Sequence, residues 1–588
     1  MKLRASFWPA DGSVGFIPSA WLLSRVAAGL ALGFVSAAHS ATNTVTSLAD
    51  FGSGSLRQVI ANSAAGDAIV FGVTGTITLG GELVVSNNIT VAGPGSSALA
   101  ISGNHACRVL NVSPSATVSI SALTIQDGQT PAGINPDSSG PGGGICNAGT
   151  LSISHCVICG NSAGGHGGGI YNQGSCVLIA CGLSNNSAGG NGGGIYNCGA
   201  CVVSNCDLRG NSTADGSCWT GNYGDGVSGG DGAGIYSDTG LSLINSTLIY
   251  NVCGAGGPGA PQGVTGYGGD GGSGGGLYGR GDLTGCTIAF NRAGAGGSGY
   301  WLYAGYIFGG GGAGGLGGGV AGSLRLTNCT IVGNFSGAGG TGLPFGGPPS
   351  TTGQGGNGGG LCLFAMNSGD TNLAIVACTI VSNTAGWSFP PGFAGVGGGV
   401  WASGAAALDD LIALNTLAVS GVTGSDVFGS MNSLGHNLIG SGSTGFTAPG
   451  DLVGTNPNLG PLANNGGPTW TMALLPGSPA IDAGSAVGTP ATDQRGVARP
   501  QGPGVDIGAF EYQYIPAFTD MMIQNVTNCW LQMAGLSPAQ SFALQVSSNL
   551  LVWSAVTNFV GTNGFFQYVD SSPCRGGNRF YRLKSGGQ

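Results

Sequence analysis

Lysine and glutamate are nearly missing from this chain: Lys2, Lys584, Glu82 and Glu511 are the only ones among 588 residues. All charged residues together make up 7%. Cations this sparse form no basic patch, and a formal net charge of −9 opposes nucleic acid and anionic lipid as partners. Acidic pairs, which glycoside hydrolysis requires, are equally scarce, and Asp409-Asp410 is the only adjacent one. Past the N-terminus the histidines are His105, His155, His166 and His436, none at metal-ligand spacing. No apolar run reaches the ~20 residues that span a bilayer as a helix, and no long segment carries a helical period.

Glycine fills much of that space, with 123 residues. A strict Gly-X-Y period is absent and 41% of the chain is hydrophobic, so neither collagen nor disorder fits. The N-terminus reads as an export signal over residues 1–40: Arg4 and Arg25, a short apolar run Val26–Ala38, then Ala38-His39-Ser40 as a cleavage site. Its removal takes Lys2, Arg4, Arg25 and Asp11 and leaves 12 basic against 23 acidic residues.

The glycines recur in a phrase. GGGIC (142–146) is followed by GGGIY (167–171), GGGIY (192–196), GAGIY (232–236), GGGLY (274–278), GGGVA (317–321), GGGLC (358–362) and GGGVW (397–401). Between these phrases runs L-x-I-x-x-C-x-I-x-x-N, as in Leu151, Ile153, Cys156, Ile158, Asn161. Period-2 alternation broken by one extra residue predicts two short strands meeting at a corner. A repeat of about 25 residues predicts a solenoid, its inward positions stacked ~4.8 Å apart, its asparagines forming a corner ladder and its glycines relieving another corner.

From residue 212 onward most repeats lengthen to about 40 residues. The extra residues always fall between the Asn and the next glycine phrase. These inserts are expected to be loops on one face, so that deleting Gly257–Val264 would leave stability nearly unchanged. Their aromatic tips, Trp219, Tyr223, Tyr267, Trp301, Tyr303, Tyr306 and Trp387, are candidate ligand-binding residues, weighed against rings that merely anchor loops. Asp225, Asp231 and Asp270 make calcium conceivable but lack the nonapeptide period of calcium-binding rolls, which favours solvated loop aspartates.

VTSLADFGSGSLRQVIANSAAGDAIVF (45–71) resembles the opening segment of secreted bacterial right-handed β-helix proteins, with a plugging helix around Leu56, Val59 and Ile60. GGGIYN and IxGN phrases resemble polymorphic outer-membrane protein repeats. GSPAIDAG (477–484), DQRGVARP (493–500) and DIGAFEY (506–512) resemble a choice-of-anchor Q type segment. The resemblance implies an exported chain at the cell surface or outer membrane and does not imply one activity.

The expected fold is an all-β, right-handed, three-sided parallel β-helix. Its divisions are a signal (1–40), a cap with first turns (41–135), glycine-phrase coils (136–434), the anchor-like segment (435–513) and a small antiparallel β-sandwich (516–588). Cys156, Cys181, Cys206, Cys286, Cys329 and Cys378 share one inward phase, with Ser246 taking it once, so they read as core rather than disulfides. Cys156 with Cys159 and Cys198 with Cys201 lack a second ligand pair for zinc, and no metal or other cofactor is expected. Cys529 and Cys574 flank the terminal module as a disulfide candidate. The reading is a non-catalytic, monomeric rod contacting glycans or cell-surface proteins. The alternative is a polysaccharide lyase or glycoside hydrolase with an atypical site, for which Asp409 and Asp410 are weak catalytic candidates. The coil offers such an enzyme no lysine, and Arg209, Arg280, Arg292 and Arg325 sit at different repeat phases.

Overall fold

The computed structural model describes residues 40–588 apart from 133–138, 219–223, 261–265, 303–306, 343–351, 371–372, 389–393, 409, 414–415, 418–425, 442–444, 515–516, 526–527, 539, 562–565, 572–578 and 586–588. Each repeat makes one rung of a right-handed parallel β-helix. The first repeat runs through Ile145–Asn147, Thr150–Ser154, Val157–Cys159 and Ser162–Ala163. The first two strands belong to a 19-stranded sheet and the third to a 13-stranded sheet. The last makes a narrow third side, which continues through single bridges Ser212↔Val252, Val252↔Arg292, Arg292↔Phe335 and Phe335↔Thr384. Thirteen rungs at ~4.8 Å make a rod about 60 Å long.

Alternation decides which side chains go inside. Ile153 stacks on Leu178 and Leu178 on Val203, all fully buried. Each such side chain contributes about 1.5–3 kcal/mol through burial. The extra residue that breaks the alternation is the corner itself. His155, Ala180, Asn205, Asn245, Gly285, Asn328 and Ala377 occupy it with φ between 47° and 67°. At the glycine corner Gly167 has φ 72°, and a Cβ on Gly169 would lie 2.6 Å from the Gly194 carbonyl.

Two internal polar columns satisfy the backbone at these bends. Asn161, Asn186, Asn211, Asn251, Asn291, Asn334 and Asn383 are fully buried. Each but the last donates through Nδ2 to the Oδ1 of the next, at 2.9–3.0 Å. This is the ladder the spacing predicts. A second column, Asn147, Asn172 and Asn197, was not read from the sequence and stacks the same way at 2.7 Å.

The cysteine column is core, as expected. Cys181 N–H donates to Cys206 Sγ at 3.3 Å, and Cys206 N–H to Ser246 Oγ at 3.0 Å. Burial pushes the Cys156 thiol up to about 12, so it is neutral and unreactive.

Leu56–Asn62 is the only helix among the described residues, capped by Ser55, whose side chain accepts from Gln58 N–H; buried Leu56 packs into the coil core. No described helix is long and apolar enough to cross a membrane. The rungs continue past residue 434, through Leu438–Ile439 and Leu452–Val453. The chain then turns back and covers the outside of the 13-stranded sheet. Ile481, Ile507 and Phe510 pack on Ala289, Val332 and Val381. Gln494 accepts from Thr330 Oγ1 at 2.7 Å and donates to Thr287 Oγ1 at 3.0 Å, while Ala509 N–H reaches Thr379 Oγ1.

The motifs at 477–484, 493–500 and 506–512 meet in that covering segment. Arg499 pairs with Glu511 at 3.3 Å and Arg495 with Asp493 at 2.7 Å, all four side chains nearly or fully buried. Asp506 accepts from Asp482 N–H at 2.7 Å and from Tyr512 N–H. Burial first, and the Glu511 carboxylate second, push Asp506 up to about 8. Beyond residue 516, two three-stranded antiparallel sheets enclose Leu531, Met533, Phe542 and Leu544.

Candidate functional site

The described residues of the inserts are bonded to one another through their backbone, where loops independent of the coil's stability had been expected. Their Gly-Gly-X triplets run out from the third side and back, bonding in steps of three residues. Gly269 and Gly272 N–H donate to Gly257 and Gly254 carbonyls; Gly294 and Gly297 donate to Gly272 and Gly269; Gly312 and Gly315 donate to Gly297 and Gly294. A parallel set links successive rungs: Gly256 and Gly259 donate to Ala295 and Ser298, and Gly296 and Gly299 to Ala338 and Thr341. Period-three bonding between extended segments is the geometry of polyproline-II-like glycine helices packed side by side. Their N–H groups, unpaired within each helix, find partners in the neighbours. Packing is close enough that a Cβ on Gly312 would lie 1.9 Å from the Gly269 carbonyl.

Only every third side chain leaves the bundle. Pro258, Tyr267, Ala295, Ser298, Gln354 and Trp387 occupy such positions and are exposed. Tyr267 and Trp387 are 46% and 52% exposed, so these two candidate rings do not pack down on the coil. Trp219, Tyr223, Tyr303 and Tyr306 lie outside the described residues. The backbone at Trp301 pairs with Phe308 in a short hairpin.

The insert aspartates serve the stacking. Asp225 accepts from Tyr267 N–H at 3.0 Å, Asp231 from Ser273 N–H at 2.6 Å and Asp270 from Ala313 N–H at 2.7 Å. Each carboxylate caps the rung above, where loop solvation had been expected. No group of three potential metal ligands occurs among the described residues.

Asp410 is fully buried and takes the place of the next cysteine: Cys378 N–H donates to its Oδ1 at 2.9 Å, and its own N–H donates to Asn437 Oδ1 at 3.0 Å. That position removes it from contact with any substrate. Asp409 lies outside the described residues. Cys529 is buried in strand Asn528–Ala534, while Cys574 lies outside the described residues.

A tyrosine ladder on the outside of the 19-stranded sheet went unread, although the fifth position of GGGIY marks it. Tyr171, Tyr196, Tyr236 and Tyr278 stack with centroids 4.9–5.4 Å apart. Stacking uses up the ring faces and leaves edges and hydroxyls outward. Tyr196 donates to Asp238 at 3.1 Å. Burial, and then that carboxylate, hold the Tyr196 hydroxyl above its ordinary range. Arg280 and Arg325 share this face despite their different phases. Asp370 lies 3.3 Å from the first and Asp282 3.9 Å from the second.

No family model matches the chain, and no curated protein matches it. Among solved structures it is similar to a PL6 family alginate lyase, AlyGC, at 12% sequence identity and a TM-score of 0.32. That match covers 74% of this chain and 55% of the lyase. At that level the likeness carries no argument about activity, and the β-helix is read from the chain's own ladders.

Proposed function

We propose that this is a non-catalytic, exported β-helix protein that holds a rigid array of side chains outward for contact with glycans or cell-surface proteins. The observation that carries the reading is the glycine bundle, which buries its backbone and turns every third residue to solvent. Recognition from a preorganised surface avoids the entropy of ordering a loop. Exposed Tyr267 and Trp387 supply the ring edges and faces that such contacts use. The signal-like segment 1–40 supports export, and the motifs between 477 and 512 support attachment at a bacterial surface of the choice-of-anchor kind.

The test is a glycan array beside a polysaccharide-degradation screen on purified residues 41–588, with and without calcium. Binding without product, weakened by Tyr267→Ala and Trp387→Ala, is the expected result. Release of reducing or unsaturated sugars would establish the enzymatic alternative instead.

A further inference from the structure

The third side of the coil changes character where the inserts begin. On the short rungs it presents Ser162, Ser187 and Ser212 in register. On the next rungs the same column holds Val252, Arg292 and Phe335. Val252 is 43% and Phe335 41% exposed, and Arg292 is exposed between them with its guanidinium 5.8 Å from the Phe335 ring centroid. Alongside, at the preceding corner, Tyr250 is half exposed and stacks on Phe290. One rung beyond Phe335 the column holds Thr384, and exposed Trp387 follows three residues further out along the insert.

Arg292 is also electrostatically unlike its neighbours. Arg57, Arg108, Arg209, Arg280 and Arg325 each have a carboxylate within ion-pair distance. Among the described arginines of the coil, Arg292 alone has none. An exposed, unpaired guanidinium flanked by apolar and aromatic groups suits an anion with apolar faces, a local exception to the repulsion that the net charge of −9 exerts on polyanions. The strip runs along the rod for three rung steps, about 14 Å, and is one or two residues wide. That is far short of the ~800 Å² per partner of a stable protein interface, so a linear ligand fits it better than a folded one.

We infer that the strip Tyr250–Val252–Arg292–Phe335, with Trp387 one rung on and three residues further out, binds an acidic polysaccharide, with a sugar carboxylate on Arg292 and sugar faces against the flanking rings. The assignment rests on the glycan-contact reading above and adds the ligand's charge and its place on the rod. Because Arg292 is exposed, Arg292→Gln keeps the melting temperature of the parent, which a thermal melt verifies.

The experiment is affinity retention on immobilised polygalacturonate and on a neutral glucan, at low and at physiological salt. Expected are retention on the polyuronate that falls with salt, about tenfold weaker binding by Arg292→Gln, partial rescue by Arg292→Lys, and no change in Arg209→Gln. Equal retention of parent and Arg292→Gln overturns the assignment. So does a preference for the neutral glucan, and if Trp387→Ala then loses that binding, the broader glycan reading survives. Retention on neither matrix overturns the acidic-polysaccharide assignment, and a parallel array without any binding removes the broader reading with it.

Discussion

Rungs between residues 142 and 211 and rungs between 232 and 400 use the same coil, yet the second group carries a second packing on its flank. Inside the coil, large side chains interlock and water exclusion stabilises the stack. Inside the described glycine bundle side chains are few and small, Cys253 and Ser336 among them, and backbone carbonyls meet backbone N–H groups directly. The contrast teaches what glycine contributes in each place. In the coil it relieves single corners; in the bundle its missing Cβ is the packing surface. A bundle of this kind cannot register itself by shape, so the rungs beneath must set its spacing.

The comparison breaks most severely from inside the coil. Ile153→Asp puts an unpaired charge into a fully buried column, and loss of folding is expected, read as absence of the β signal in circular dichroism. Next is Gly312→Ala, whose methyl meets the Gly269 carbonyl. A loss of about 3 kcal/mol is expected, with hydrogen exchange accelerated across 254–357 while 145–209 stays protected. Deleting Gly257–Val264 acts the same way and more strongly, because it removes the backbone partners of Val227, Gly269 and Ser298 at Gly257 and Gly259.

A smaller effect tests the covering segment. Asp506 binds its proton more tightly when folded, with a value near 8 against an ordinary 3.8. Its contribution is therefore complete below about pH 4 and is lost as pH rises through about 8. Melting temperature should fall over that window, and Asp506→Asn should flatten the dependence while lowering its acid plateau. Smallest is Ala295→Val: the position is exposed on the outside of the bundle, and a change within about 0.5 kcal/mol by thermal melt is expected.

The coil was legible because its signal is local and repeated. Leu151, Ile153, Cys156 and Ile158 state the inward phase, and one odd residue states the corner. Asp410 could be placed only approximately, since it breaks the cysteine pattern while keeping the acceptor that Cys378 N–H requires. The glycine bundle was illegible for the opposite reason. Gly-Gly-X looks like low complexity, and its order comes from partners such as Gly257 and Gly297, 40 residues apart, once the rungs align them. Arg292 resembled the other coil arginines until the carboxylates beside them could be located.

The return of residues 456–514 over the 13-stranded sheet has a consequence in time. A chain delivered N-terminus first can wind every rung through Val381 as it emerges. The partners of Thr287, Thr330 and Thr379, carried by Gln494 and Ala509, arrive only about 130 to 210 residues later. Until then a strip of threonine and aliphatic side chains stays uncovered on a finished-looking rod. A chain cut short before Gln494 therefore leaves that strip of the 13-stranded sheet open to solvent and to other chains.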